Sequence, residues 1–280
     1  MIITSGTQLK DMIKNLARKH SADSQILLRT YMTERFLERL SQSSYKNNFI
    51  IKGGMLITAM VGIQSRSTMD LDTTIKGFTL NQDELESIIN QICLININDG
   101  VTFEIKSFSE IMDEADYPGV RISMNCFYDN IRIPMKLDIS TGDVITPKEI
   151  AFKYQLMFEK REIALLAYNI ETVLAEKIET IIARNITNTR MRDFYDIHVL
   201  LKSYTDQINY KILKLAFNAT STKRGTKKLM INAESVFDEL ANDADMIKLW
   251  KRYQDNNNYA NELLWADVVN SVKSLYLKIQ

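Results

Sequence analysis

The chain has 280 residues, of which 45% are hydrophobic and 25% are charged, enough to bury a core as one large domain or two small ones. Lys plus Arg and Asp plus Glu both number 35, so no overall field attracts nucleic acid or a membrane surface. Any polyanion must therefore be bound by a local patch of basic residues.

The two cysteines, Cys93 and Cys126, lie in apolar sequence, which predicts buried free thiols in a reducing compartment. Their number and spacing indicate neither a disulfide framework nor a zinc site. The amino terminus lacks an apolar signal region, and no segment is long and apolar enough to cross a bilayer. We therefore expect a cytoplasmic protein with no membrane partner.

In chain order, the periodicity predicts two amphipathic helices over 7–20 and 21–43, then a short apolar helix from Met55 to Ile63 that starts at Gly53 and Gly54. A further helix over 79–95 has Asn81 or Thr79 as its N-cap, and residues 101–111 alternate as a strand. These elements predict an α/β amino-terminal part.

The clearest local pattern is "GVRISMNCFYDNIRIPMKLDIS", in which apolar and polar residues alternate on both sides of Asp129 and Asn130. This pattern predicts an antiparallel hairpin. Beyond about residue 165 the periodicity becomes helical to the end of the chain. The sequence thus predicts an α/β domain with an antiparallel-containing mixed sheet over 1–165 and an all-helical domain over 166–280.

Candidate catalytic residues appear in "RSTMDLDTTI", residues 66–75, where strand alternation would place Asp70 and Asp72 on one face together with Arg66 and Thr68. Two carboxylates at this spacing can share one cation or bracket two. An isolated D-x-D is more often the solvated face of a half-buried strand, so this pair alone does not indicate a metal site.

The second arm of the hairpin adds Lys136 and Asp138 on its polar face. Three carboxylates, with a glycine turn opening a helix at Gly53 and Gly54, offer oxygen ligands for two Mg²⁺ ions and backbone N–H groups for phosphate. A Gly-Gly pair by itself is more often an ordinary tight turn.

The motifs "KGGMLI", "RSTMDLD", "KLDISTGD", "TVLAEKIETIIAR" and "RMRDFYDIHVL", in this order over about 49–201, resemble the AbiEii-type abortive-infection nucleotidyltransferases. These are toxins of type IV toxin–antitoxin systems and are related to the MenT toxins. The resemblance implies a polymerase-β-like nucleotidyltransferase fold and metal-dependent use of a nucleoside triphosphate, with GTP as a candidate. It also implies a cellular target, the tRNA acceptor end in characterised relatives, and an antitoxin that acts without binding the toxin.

The resemblance implies a role for each matching residue. The Mg²⁺ ligands would be Asp70, Asp72 and Asp138, with Asp138 either completing the metal site or acting on the attacking hydroxyl. Nucleotide binding would fall to Lys52, Gly53, Gly54, Arg66, Thr68, Lys136 and Lys177. The catalytic set would be Asp70, Asp72, Asp138, Lys177 and Asp193, with Asp193 favoured over Asp196.

From the residues alone, other interpretations of the last two motifs stay open. Lys177 lies at the border of an apolar helix stripe, which is typical of a lysine that reaches from the core to solvent. Asp193 is also placed to interact with the dipole at a helix N-terminus. His198 is a packed residue more often than a base.

For the acceptor, the best candidate for tRNA contact is the basic cluster in "STKRGTKK", made of Lys223, Arg224, Lys227 and Lys228. Such a cluster is more often a solvated loop. The aromatic side chains of Trp250, Tyr253 and Trp265 fit a core better than a platform for bases. Two other functions stay open: transfer of a nucleotidyl or phosphoryl group to a protein side chain, and a non-catalytic GTP-binding regulator.

Overall fold

The structure is a computed structural model that describes residues 3–77, 81–111 and 119–280. The chain divides into two compact units. The first comprises Met1–Asp143 and Glu149–Ala167, and the second comprises Val144–Lys148 and Tyr168–Gln280. The short segment Val144–Lys148, inside the first predicted domain, thus belongs to the second unit. Its Thr146 amide donates to Thr172 Oγ1 at 3.0 Å.

The first unit is a seven-stranded sheet in the order β3-β4-β5-β2-β1-β7-β6, with helices before and between its strands. The helices are α1 (Gly6–His20), α2 (Ser24–Gln42), α3 (Gly53–Val61) and α4 (Gln82–Cys93). The strands are β1 (Phe49–Lys52), β2 (Leu71–Ile75), β3 (Thr102–Ile111), β4 (Gly119–Tyr128), β5 (Ile131–Thr141), β6 (Ile150–Gln155) and β7 (Glu162–Ala167).

The sheet is mixed. β2 pairs with β5 and β1 with β7 in parallel, whereas β1–β2, β3–β4, β4–β5 and β6–β7 are antiparallel. This architecture confirms the predicted α/β class with antiparallel pairs.

Local sequence explains where these elements begin and turn. Asn81 is the N-cap of α4, since its side chain accepts hydrogen bonds from the amides of Asp83 and Glu84; the alternative cap, Thr79, lies outside the described residues. The predicted hairpin forms β4 and β5, with Asp129 in the left-handed region at φ +52°. The apolar positions of β5 are all buried: Ile131, Ile133, Met135, Leu137 and Ile139. Burial of that face fixes the register of the polar face opposite, because a slip by one residue would exchange the two.

Two features of the sheet differ from the sequence prediction. β2 covers only Leu71–Ile75, so Arg66, Thr68 and Asp70 lie in the preceding loop and not on a strand face with Asp72. Strands β6 and β7 were not predicted from the sequence. The helix after the double glycine covers Gly53–Val61, close to its predicted bounds.

The second unit is built from helices: α5 (Ile170–Arg184), α6 (Met191–Tyr204), α7 (Tyr210–Lys223), α8 (Ala233–Asn242), α9 (Ala244–Asn256) and α10 (Trp265–Leu277). The last helix, α10, begins at Trp265 after the short 3₁₀ turn Asn258–Ala260. Trp250 and Trp265 are buried, with ring centroids 5.8 Å apart, and Tyr253 stacks on Trp250 at 5.3 Å. The two tryptophans form core, as predicted, and Tyr253 is half-buried beside them.

Both cysteines are free thiols. Cys126 is buried, Cys93 is half-buried, and burial raises the pKa of each to about 12. Within the described ranges, no helix is long and apolar enough to cross a membrane.

Candidate active site

Four charged residues stand at directly paired positions across four neighbouring strands of the first unit. Arg121 on β4 pairs with Asp138 on β5, Asp138 pairs with Asp72 on β2, and Asp72 pairs with Lys52 on β1. Residues paired in this way project from the same face of a sheet. We call this set the charge row; across the sheet its signs are plus, minus, minus, plus.

The centre of the charge row is two facing carboxylates. Like charges directly opposite each other on neighbouring strands are destabilising, so Asp72 and Asp138 need positive charge or hydrogen-bond donors nearby. Both side chains are half-buried, which reduces screening by water. The pair is therefore suited to bind a cation.

Asp138 is bound by Arg121 in a bidentate ion pair. Arg121 Nε donates to Asp138 Oδ1 at 2.8 Å, and Arg121 Nη2 donates to Oδ2 at 2.7 Å. The planar fork of the guanidinium matches the carboxylate. Arg121 was not singled out in the sequence because alternation along β4 marks it only as polar.

The double glycine forms a tight corner against Asp72. Gly53 has φ +64°, and a Cβ there would lie 2.1 Å from Asp72 Oδ2. The Gly54 amide, in the first turn of α3, donates to the same oxygen at 3.4 Å. A Cβ at Gly54 would lie 2.6 Å from Thr68 Oγ1. Glycine is required at both positions because the backbone passes so close to the carboxylate and to the loop.

The loop before β2 packs against this corner. Arg66 is 4% exposed and donates to the carbonyl of Ser67, and Thr68 Oγ1 donates to the carbonyl of Asp70 at 3.5 Å. Asp70 is half-buried at the end of the loop. The structure therefore places Arg66 and Thr68 beside the glycine corner, and Asp70 immediately before the strand that carries Asp72.

Lys52, the outer cation of the charge row, is bound by a carboxylate that the sequence analysis gave no role. Lys52 Nζ lies 2.5 Å from Asp143 Oδ2, and Ser140 Oγ donates to the same oxygen at 2.6 Å. Burial raises the pKa of Asp143, but Lys52 and hydrogen bonds from Ser140 and Thr74 outweigh burial, so this pKa lies below its ordinary value. The sequence signal that could have identified Asp143 is its place as the last residue of "KLDISTGD", two residues beyond the end of β5. Lys136 is exposed on β5, opposite Ser123.

In the second unit, Lys177 on α5 binds two carboxylates of α6. Its Nζ lies 2.6 Å from Asp193 Oδ1 and 2.8 Å from Asp196 Oδ2. Burial lowers the pKa of Lys177, but the two carboxylates outweigh burial, and the net shift is upward. We call these three residues the buried triad, since the Asp196 side chain is 0% exposed and that of Asp193 is 9% exposed.

The predicted basic cluster divides into two parts. Arg224 binds Glu179 and donates to Thr180 Oγ1 at 3.0 Å, so its charge is compensated within the second unit. Lys223, Lys227 and Lys228 are exposed. His198 is packed as expected: its Nδ1 lies 2.8 Å from Ser271 Oγ, and burial lowers its pKa.

The donor set of the charge row fits Mg²⁺ chemically, because Mg²⁺ prefers carboxylate oxygens. The close approach of Asp72 to a glycine corner, where a side chain would collide with it, also fits a site that must stay open. Among the residues that the structure describes, no three His, Cys, Asp or Glu side chains are grouped closely enough to hold a metal ion. The Asp138 carboxylate instead forms its bidentate ion pair with Arg121.

A helix that starts at a double glycine, a following strand that carries the second aspartate of a D-x-D, and a parallel neighbour with a third aspartate make up the candidate active site on this fold. Several solved structures share this fold, among them the following two. MenT4, a nucleotidyltransferase toxin from Mycobacterium tuberculosis, is 13% identical, with a TM-score of 0.58 over 97% of this chain and 99% of that chain. JHP933 from Helicobacter pylori is 17% identical, with a TM-score of 0.50 over 92% and 94% of the two chains.

The family model described as "Nucleotidyl transferase AbiEii toxin, Type IV TA system" matches residues 35–271. The chain therefore belongs to the AbiEii nucleotidyltransferase toxin family, which confirms the resemblance of its motifs. A sequence comparison with curated proteins gives no match.

Proposed function

We propose that this nucleotidyltransferase toxin acts in the cytoplasm and transfers a nucleotide from a nucleoside triphosphate, with GTP as a candidate, to the tRNA acceptor end. The observation that carries the proposal is the facing pair Asp72 and Asp138 beside the Gly53–Gly54 corner. A pure binding module has little use for two adjacent carboxylates that repel each other. Their arrangement favours catalysis over the alternative of a GTP-binding regulator.

In the proposed reaction a hydroxyl of the acceptor attacks the α-phosphate in line. The new O–P bond forms as the bond to pyrophosphate breaks, and the hydroxyl proton passes to a base. Asp138 is the candidate base if it does not bind metal. When bound, Mg²⁺ would be held by Asp70, Asp72 and Asp138, and it would neutralise charge on the attacking and leaving oxygens.

The chain's own cations and amides would orient the triphosphate. The first turn of α3 presents backbone N–H groups at Gly53 and Gly54, a favourable place for phosphate oxygens. Lys52 is held in position by Asp143, and Lys136 is exposed on the same face as Asp138. The family motif assigns Lys177 to the phosphates and Asp193 to a direct role. Within the second unit both belong to the buried triad.

Intact-mass measurement of tRNA tests the proposal. The protein is incubated with Mg²⁺, total tRNA and each of the four nucleoside triphosphates, with Asp72→Asn as the inactive control. We expect tRNA to gain the mass of one or more nucleotides with one triphosphate. A nucleotide mass found on a protein instead of on RNA would favour the alternative acceptor, a protein side chain. No transfer to RNA or protein, while Asp72→Asn still abolishes toxicity, would show that transfer is the wrong chemistry.

The exposed lysines of the basic cluster support an RNA acceptor. Phosphate contacts make binding depend on salt, and each lost contact lowers the slope of log K against log salt by about 1. We expect Lys227→Ala with Lys228→Ala to weaken tRNA binding and flatten this slope. The double variant Lys202→Ala with Lys211→Ala, at exposed positions of α6 and α7, is the matched control. Equal slopes in both variants would show that Lys227 and Lys228 do not contact tRNA phosphates.

The family also implies a cognate antitoxin. We propose that it acts without binding the toxin. Co-purification from cells that express both proteins tests this point, and a stable complex would contradict it.

A further inference from the structure

Arg121 has no part in the proposed reaction, yet it makes both hydrogen bonds to one of the three candidate metal ligands. The two contacts, at 2.8 and 2.7 Å, occupy one oxygen each of Asp138. A metal ion that chelated both oxygens from the same side would stand where the guanidinium now stands. The two cations therefore compete for the same carboxylate.

The fold does not need this ion pair. The Arg121 side chain is 39% exposed, and ion pairs at such positions contribute little to stability. Strands β4 and β5 remain paired along their whole length, from Gly119↔Ser140 to Tyr128↔Ile131. The buried apolar face of the hairpin, opposite the charge row, holds the register. A structural role does not explain the bidentate geometry.

Charge explains the bidentate contact between Arg121 and Asp138 better than a structural role does. Asp138 faces Asp72 directly, and the repulsion between them is relieved when a cation binds either one. Arg121 supplies that cation for Asp138. We propose that Arg121 is a positioning residue that holds Asp138 in the cation-free protein and releases it to the divalent cation when that cation binds. This inference rests on the proposed function, because it takes Asp138 as a metal ligand.

Mn²⁺ titration followed by electron paramagnetic resonance tests the exchange without any activity assay. Removing the competing guanidinium in Arg121→Gln should tighten Mn²⁺ binding about fivefold, equivalent to about 1 kcal/mol. Arg121→Lys keeps the charge but lacks the fork, so its affinity should fall between those of the other two proteins. Arg132→Gln, an exposed arginine on the same hairpin, removes an equal charge and should leave the affinity unchanged.

A double-mutant cycle locates the effect on Asp138. Asp138→Asn should weaken Mn²⁺ binding, and adding Arg121→Gln to it should bring no further change. If Arg121→Gln alone leaves the Mn²⁺ affinity unchanged, weakens it, or tightens it only as much as Arg132→Gln does, the exchange is wrong. If Arg121→Gln does not fold, the conservative Arg121→Lys decides the question by the same comparison.

The outcome is separable from that of the proposed function. Wild-type protein that binds Mn²⁺ with the expected dependence on Arg121, but transfers no nucleotide, would support the exchange and contradict the proposed reaction. Nucleotide transfer together with Mn²⁺ binding that is insensitive to Arg121 would support the proposed reaction and contradict the exchange. Absence of Mn²⁺ binding in both wild type and Arg121→Gln would overturn the exchange.

Discussion

The charge row and the buried triad use the same chemical groups in opposite environments. Each contains two neighbouring aspartates, but Asp72 and Asp138 are half-buried on strands, whereas Asp196 is fully enclosed between helices. In the triad a single lysine lies within 2.8 Å of both carboxylates. In the charge row the basic residues stand at the two ends, and the carboxylates face each other.

This difference separates two uses of charge. Enclosed charges must neutralise one another, because burying an ion without a partner is costly. The triad therefore ties α5 to α6. The carboxylates of the charge row face each other and are only half-buried, so their charge stays accessible to a ligand, and we propose that this row is the reactive site. The predictions below test this contrast.

The largest expected effect is on the triad. Lys177→Met would leave Asp193 and Asp196 buried with no shared cation, and breaking a buried ion pair in this way costs about 3–5 kcal/mol. We expect the free energy of unfolding, measured with urea, to fall by that amount. Lys211→Met, at an exposed position of α7, is the control and should change it by less than about 0.5 kcal/mol. A stable Lys177→Met protein would mean that the triad does not hold the helices together.

Asp72→Asn should instead leave the fold intact and remove activity. Loss of one charged group that stabilises a transition state costs about 10²–10³ in rate. We expect a decrease of this size in kcat for nucleotide transfer, with an unchanged melting temperature. Asp11→Asn on the exposed side of α1 should keep full activity. Equal activity in the two variants would show that the charge row is not the reactive site.

Gly53→Ala and Gly225→Ala form a matched pair with nearly equal backbone geometry, at φ +64° and +67°. Gly225→Ala should lose about 1–2 kcal/mol of stability, the cost of the left-handed region for alanine, and Gly53→Ala should lose at least as much. A Cβ at Gly53 would collide with Asp72, whereas a Cβ at Gly225 meets no heavy atom within 4 Å. We therefore expect only Gly53→Ala to lose transfer activity. Equal activity losses in Gly53→Ala and Gly225→Ala would show that the close approach of Gly53 to Asp72 has no role in activity.

The smallest effect concerns the end of the charge row. The pKa of Asp143 lies below its ordinary value of 3.8, so its ion pair with Lys52 stabilises the fold at higher pH. That contribution is complete above the unfolded pKa and is lost as pH falls through the folded pKa. Urea unfolding of wild type and Asp143→Asn should therefore differ at pH 6, and the difference should shrink only as pH falls below the ordinary pKa of 3.8. A constant difference across this range would contradict the assignment.

Sequence patterns located most of the charge row, because hairpin alternation depends on side-chain periodicity alone. Asp138 and the buried face of β5 follow directly from that pattern. The register of β2 against β5 does not, since parallel pairing of distant segments leaves no local signal. Arg121 was missed for a different reason: alternation along β4 marks it only as polar, although the hairpin pairs it with Asp138. Asp70 was placed on a strand because alternation continued through a loop, where the glycine corner and Arg66 decide the path instead.

The parallel pairing of β2 with β5 also determines at which stage of folding the candidate site can form. A hairpin forms from local contacts and is fast, whereas pairing between distant segments is slow. We therefore expect the β4–β5 hairpin to form first and to pair Arg121 with Asp138 before β2, which carries Asp72, pairs with β5. A growing chain presents a covered aspartate and no complete pair of carboxylates. We expect this toxin to be inert during its own synthesis and to become active only once the sheet has closed.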